Sequence, residues 1–105
     1  MKKSLGEFEE LILTMVCILG EDAYGNQIVS EVKKELNRKI SLSAVHITLY
    51  RLEDKGYLTS HYGGATAKRG GRRKRYFQIT NSGKNILVDL QDQRQKLWKL
   101  LPDIR

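Results

Sequence analysis

Residues 68 to 76 read KRGGRRKRY, and six of these nine side chains are cationic: Lys68, Arg69, Arg72, Arg73, Lys74 and Arg75. Ammonium and guanidinium groups at this density share one chemistry, the neutralisation of a polyanion. The formal net charge of the 105-residue chain is +7. Most of that excess sits in this one stretch, so the basic character belongs to a loop rather than to the whole surface. Other chemistry finds little support. His46 and His61 are the only histidines, and Cys17 is the only cysteine, so neither metal-ligand spacing nor a disulfide is available. No nucleophile–base pattern is present. The glycine pairs Gly63-Gly64 and Gly70-Gly71 do not open a helix as a phosphate-binding loop would. The sequence therefore implies no enzyme, no metal and no cofactor.

The length is that of one domain with a modest core, a size at which oligomerisation often adds stability. Cys17 lies inside the apolar run LILTMVCIL and is expected to be a buried core residue. Glu7, Glu9 and Glu10 interrupt the apolar N-terminal segment, no signal-type cleavage site follows, and no stretch is long enough to span a bilayer. The expectation is a cytoplasmic protein with no membrane partner.

Four helices and a hairpin are expected to carry the basic loop. In the first helix Leu5, Phe8, Leu11, Ile12, Met15, Val16 and Leu19 recur at helical spacing. SLGE, from Ser4, has the form of a capping box, and Gly20 stops the run. Asp22 is placed as the cap of a second helix with Ile28, Val32 and Leu36 on one face, Lys33 and Lys34 outside, and Asn37 at its end. Ile40 is a candidate one-residue strand contact. The third helix is SLSAVHITLYRLEDKG, about 42–55, capped by Ser41 or Ser43 and ended by Gly56. Val45, Leu49 and Leu52 make its buried stripe. Its other face holds Ser43, Ala44, His46, Ile47 and Tyr50 with Arg51, and is small, polar and aromatic.

From Tyr57 the period changes to two. Leu58 to Tyr62 and Tyr76 to Thr80 read as the strands of a hairpin whose long tip, 63–75, holds the cationic stretch. Thr80, Asn81 or Ser82 opens a last helix, which Pro102 ends. Ile86, Leu87, Leu90, Leu97, Trp98 and Leu101 recur along it. At 18 to 20 residues it spans roughly 30 Å. The preceding domain is too small to cover that length, and a second copy of the chain is the simplest cover.

Three helices followed by a hairpin is the order of a winged helix-turn-helix: a mainly α fold with a small β wing, here followed by a C-terminal dimerisation helix. Residues 1–80 would form the DNA-binding part and 81–105 the dimerisation helix, in one compact unit. The third helix of such folds enters the DNA major groove with its N-terminal residues near base edges. The candidate DNA contacts are Ser43, Ala44, His46, Ile47 and Tyr50, with Lys68, Arg69, Arg72, Arg73, Lys74 and Arg75 on the wing. Arginine suits both phosphates and a narrow minor groove, and glycines let the wing follow a backbone closely.

Three segments, LGEFEELILTMVCILGEDAYGNQI, VHITLYRLEDKGYLTS and RRKRYFQITNSGKNIL, together resemble PadR-family transcriptional regulators. The strongest parts are Tyr24-Gly25, Leu49 with Arg51-Leu52-Glu53 and Gly56, and Tyr76 with Ile79-Thr80 and Gly83-Lys84. The resemblance implies a homodimeric repressor that binds an inverted-repeat operator and dimerises through the C-terminal helix. Leu87, Leu90, Arg94, Leu97, Trp98 and Leu101 would form the seam. Ligand-responsive behaviour occurs in the family, and Trp98 would then stack a small aromatic effector. Where the family commonly has Leu-Tyr-Pro-Ala in helix three, this chain has Val45-His46-Ile47-Thr48, so the operator sequence does not carry over. Two other functions compete: a winged-helix module for protein–protein contact, and an RNA-binding regulator. Oligomeric state separates the first from the repressor, and competition between duplex DNA and RNA separates the second.

Overall fold

The computed structural model describes residues 5–63 and 74–104. Its elements run α1 (Glu7–Leu19), a 3-10 turn (Gly20–Asp22), α2 (Gly25–Leu36), α3 (Leu42–Asp54), β1 (Leu58–Gly63), β2 (Lys74–Ile79) and α4 (Asn81–Leu100). This is a winged helix-turn-helix with an added long helix.

The apolar stripe of α1 forms the centre of the core. Ile12, Leu13, Met15 and Val16 are buried there against Ile28 and Val32 of α2, Val45, Leu49 and Leu52 of α3, and Tyr57, Leu58 and Phe77 of the hairpin region. Each fully buried aliphatic or aromatic side chain contributes roughly 1.5–3 kcal/mol of transfer free energy. Helix ends follow local chemistry. Gly20 closes α1 at φ 58°, Asn37 closes α2 in the left-handed region at φ 51°, and Gly56 follows α3 at φ 82°. The Ser41 hydroxyl accepts the Ala44 N–H at 3.1 Å and caps α3.

Several expectations need correction. Gly6, not Ser4, is the N-cap of α1. Its N–H donates to Glu9 Oε1 at 3.0 Å, while Ser4 lies outside the described residues. Asp22 sits in the 3-10 turn, and Tyr24 is the N-cap of α2 with no side-chain cap. Ile40 forms no strand and packs partly buried against the core. Leu36, the third member of the α2 stripe, is 54% exposed because the helix ends there. Cys17 is exposed. The core-facing arc of α1 already holds Ile12, Leu13 and Val16, and the next residue turns about 100° away. Cys17 instead lines an open cleft of about 790 Å³ between the 3-10 turn and the outer side of β2.

The hairpin is antiparallel, with Leu58 opposite Ile79, Ser60 opposite Phe77 and Tyr62 opposite Arg75. Strand β2 starts at Lys74, two residues before the expected position. It is tied back to the helices where the Phe77 N–H donates to the Ala23 carbonyl at 2.9 Å. Thr80 then joins hairpin to α4. Its hydroxyl donates to the Gly56 carbonyl at 2.7 Å and accepts the Gly83 N–H at 3.1 Å. Gly83 is buried, and a Cβ there would run into the Tyr57 carbonyl oxygen and the Ile79 side chain.

Helix α4 has 20 residues. Its first half packs through Ile86 and Leu87 on the core, and Arg94 makes a two-pronged pair with Glu10 of α1 at 2.6 and 2.8 Å. Glu9 on α1 is nearly buried and accepts Lys55 Nζ with both carboxylate oxygens at 3.0 Å, joining the start of α1 to the end of α3. Burial pushes the Glu9 carboxyl up. The Gly6 N–H, Lys55 and Arg51 outweigh that, and its pKa lies below the ordinary 4.5. Among the described residues no helix is long and apolar enough to cross a membrane.

Candidate nucleic-acid interface

Helix α3 positions the first group of candidate contacts. Its buried stripe fixes the rotation of the helix, so the opposite side must face outward. Ser43 is exposed and Ile47 is 57% exposed. Ala44 and His46 are half-buried. The His46 ring covers Gly25, where a Cβ would meet it, and stacks on Tyr50 with ring centres 6.1 Å apart. His46 therefore contributes to the joint between α2 and α3 as well as to their surface. The Ser41–Ser43 turn lies at the N-terminal, electropositive end of the α3 dipole.

The wing supplies the second group. Lys68, Arg69, Arg72 and Arg73 lie outside the described residues. Lys74 and Arg75 belong to β2 rather than to the loop, and strand alternation sends them to opposite faces. Lys74 is exposed, with its Nζ 4.2 Å above the ring of Tyr24. Tyr24 in turn meets Tyr76 edge-on at 5.3 Å. Arg75 turns inward toward α3. Its Nη2 donates to Glu53 Oε1 at 2.9 Å and its Nε donates to Ser60 Oγ at 3.1 Å. Its guanidinium lies 4.9 Å from the centre of the Tyr50 ring.

The two groups meet at Tyr50 and Glu53 of α3, which contact Arg75 and Phe77 of β2 and Ser60 of β1. Composition and spacing do not single out Tyr24, Glu53, Ser60 or Tyr62 as parts of this region. The available signal was the period-two register: Ser60, Tyr62, Arg75 and Phe77 must share a face once the strands pair. Leu97 and Trp98 lie on the distal part of α4 and Leu101 directly follows its end, far along the chain from this surface; they are 65%, 53% and 46% exposed. Trp98 lines a shallow depression of about 340 Å³ with Leu101, Pro102, Asp103 and Ile104. Leu87 and Leu90 are half-buried at the base of the helix. Arg94 is engaged by Glu10 within the chain, so any role for it between copies would pass through that pair. Among the described residues no group of three or more His, Cys, Asp or Glu side chains could hold a metal ion.

Comparison with known proteins agrees with this architecture. No curated protein matches the chain in sequence. Among solved structures, a PadR-family transcription regulator from hypervirulent Clostridium difficile R20291 is 24% identical. The match covers 90% of this chain and 94% of that one, with a TM-score of 0.73. A PadR-like transcription factor from Bacteroides fragilis is 21% identical over 86% and 84% of the two chains, with a TM-score of 0.70. Bacillus subtilis PadR, solved in complex with operator DNA, is 28% identical over 80% of this chain and 46% of that one, with a TM-score of 0.69. The sequence pattern of the PadR-like transcriptional regulators matches residues 14–89, most of the chain and all of the region from the middle of α1 to the middle of α4. The chain belongs to the PadR-like family of transcriptional regulators.

Proposed function

We propose that the protein is a homodimeric repressor that reads an inverted-repeat operator in the cytoplasm. Residues 1–80 bind duplex DNA and 81–105 join the two copies. The exposed N-terminal half of α3 enters the major groove, with Ser43, Ala44, His46, Ile47 and Tyr50 near base edges or phosphates. The wing, with Lys68, Arg69, Arg72, Arg73 and the exposed Lys74 at the start of β2, tracks the adjacent backbone or minor groove. The observation that carries this reading is the contact of Tyr50 and Glu53 on α3 with Arg75 on β2, the strand that follows the cationic segment in sequence. Support comes also from the 28% identity to Bacillus subtilis PadR, a protein solved with operator DNA.

The distal face of α4, with Leu97, Trp98 and Leu101, is the dimer seam, and Trp98 is where a small aromatic effector would stack. Half-sites about one helical turn apart, ~34–36 Å, suit such a dimer. The exposed distal α4 also fits a second reading, a platform for a different protein chain, for which light scattering would report a monomer of the isolated protein.

Selection from a random duplex pool at physiological salt tests the repressor reading. The expected result is an enriched inverted repeat. Replacing Lys68, Arg69, Arg72 and Arg73 together by alanine should then weaken binding to every sequence. The slope of log affinity against log salt should become shallower by about 0.9 for every phosphate that the variant no longer neutralises. Retention without a consensus, or an unchanged slope, would count against the assignment.

A further inference from the structure

We propose that Arg75 is a positioning residue that sets the angle of the wing against α3, rather than one of the wing's phosphate contacts. The inference rests on the DNA-binding reading above and assigns to one of its cations a different task.

Three observations separate Arg75 from its cationic neighbours. First, its donors are engaged in a closed polar ring: Nη2 donates to Glu53 Oε1 at 2.9 Å, Nε donates to Ser60 Oγ at 3.1 Å, and the Ser60 hydroxyl donates to Glu53 Oε2 at 2.7 Å. Second, the guanidinium sits among aromatic rings, 4.9 Å from the centre of Tyr50, 5.6 Å from Phe77 and 5.7 Å from Tyr62. Third, the Arg75 and Glu53 side chains are only 33% and 30% exposed. A phosphate could take this guanidinium only by displacing a carboxylate from a partly desolvated, two-point site.

The ring joins α3 to the two paired strands, a relation that the β1–β2 backbone pairing alone does not fix. Glu53 is in the last turn of α3, Ser60 is on β1 and Arg75 is on β2 directly opposite Tyr62. Tyr50, on the exposed face of α3, lies beneath the guanidinium. The same contact therefore holds the root of the wing and one candidate base-reading side chain in a fixed relation. A two-stranded hairpin is marginal alone and takes its orientation from what it packs on.

Positioning and phosphate contact predict different results for the variants R75K and E53Q. Lysine keeps the charge that a phosphate needs, but it cannot reproduce the fork or the stacking. Glutamine at 53 removes the carboxylate that competes with DNA, yet weakens the ring. The probe is the duplex recovered by selection, with wild-type protein as reference and far-ultraviolet circular dichroism to check folding. Binding is measured over a salt series, and amide exchange of β1 and β2 is followed in the free protein. Expected for R75K, R75A and E53Q alike is binding to that duplex weakened on the order of tenfold, with the salt slope unchanged and faster exchange in both strands. Wild-type affinity in R75K, a slope shallower by about one phosphate in R75A, or tighter binding by E53Q each overturns the inference and leaves the DNA reading standing. Wild-type protein that enriches no duplex overturns the DNA reading and this inference together.

Discussion

The two halves of α4 have similar apolar spacing and opposite surroundings. At the base, Gly83 is buried, Ile86, Leu87 and Leu90 are half-buried, and Arg94 is fastened to Glu10. Beyond it, Leu97, Trp98 and Leu100 of the helix, and Leu101 and Ile104 after its end, are 46–79% exposed. One helical period thus runs through both halves, but the apolar side chains of the first are half-buried against the core while those of the second are more than two-fifths exposed. Periodicity reports that a face is apolar. The size of the neighbouring domain decides whether that face is covered within the chain, and here the cover ends near Arg94.

The contrast can be broken from either side. The largest effect is expected at the base. Gly83→Ala places a methyl against the Tyr57 carbonyl, a backbone atom that cannot rotate away, and should cost about 3 kcal/mol of stability, the upper end for an overpacked site. Urea denaturation measures it, and the loss should be the same at all protein concentrations. Next comes the distal half. Leu97→Asp should leave the core intact but, in the proposed dimer, weaken self-association at least about tenfold, about 1.4 kcal/mol. Sedimentation should show monomer, and the concentration dependence of the melting temperature should vanish. A variant as dimeric as wild type would place the seam elsewhere.

The smallest effect concerns the carboxylates of α1. Arg94 holds Glu10 below the ordinary carboxylate value, as the Gly6 N–H and Lys55 do for Glu9 against the opposing effect of burial. A depressed folded-state pKa contributes stability that is fully present above the unfolded value of 4.5 and is lost as pH falls through the folded value. The melting temperature should therefore fall as pH drops below 4.5. Glu9→Gln should cost about 1 kcal/mol near neutrality and flatten that acid limb. An acid limb equally steep in the variant would show that Glu9 does not contribute to it.

Much of the fold was legible because it rests on local rules. Helix stripes follow the 3.6-residue period, and Gly20, Asn37 and Gly56 mark stops that need a positive φ. Details that depend on rotation or pairing were not legible. A one-residue difference in the rotation of α1 decides whether Cys17 faces core or cleft. Asp22 has the chemistry of a cap, but α2 begins further along, where Tyr24 takes the cap position. Runs of like charge conceal strand alternation: KRGGRRKRY reads as one cationic patch, yet pairing sends Lys74 to Tyr24 and Arg75 to Glu53. The outer face of α3 was readable because Val45, Leu49 and Leu52 fix its opposite side.

The overhang of α4 makes it a lever. The helix is about 30 Å long. It is pinned at Thr80 and again at the Glu10–Arg94 pair, and it extends past that second pin to Leu100. A tilt of about 5° at its root would move its far end by roughly 3 Å over that length. Two such helices joined at their far ends would act as a ruler between the two reading helices. Under the proposed dimer, small adjustments where α4 rests on α1 would then change the separation of the two α3 helices, with no change to any residue proposed to face DNA.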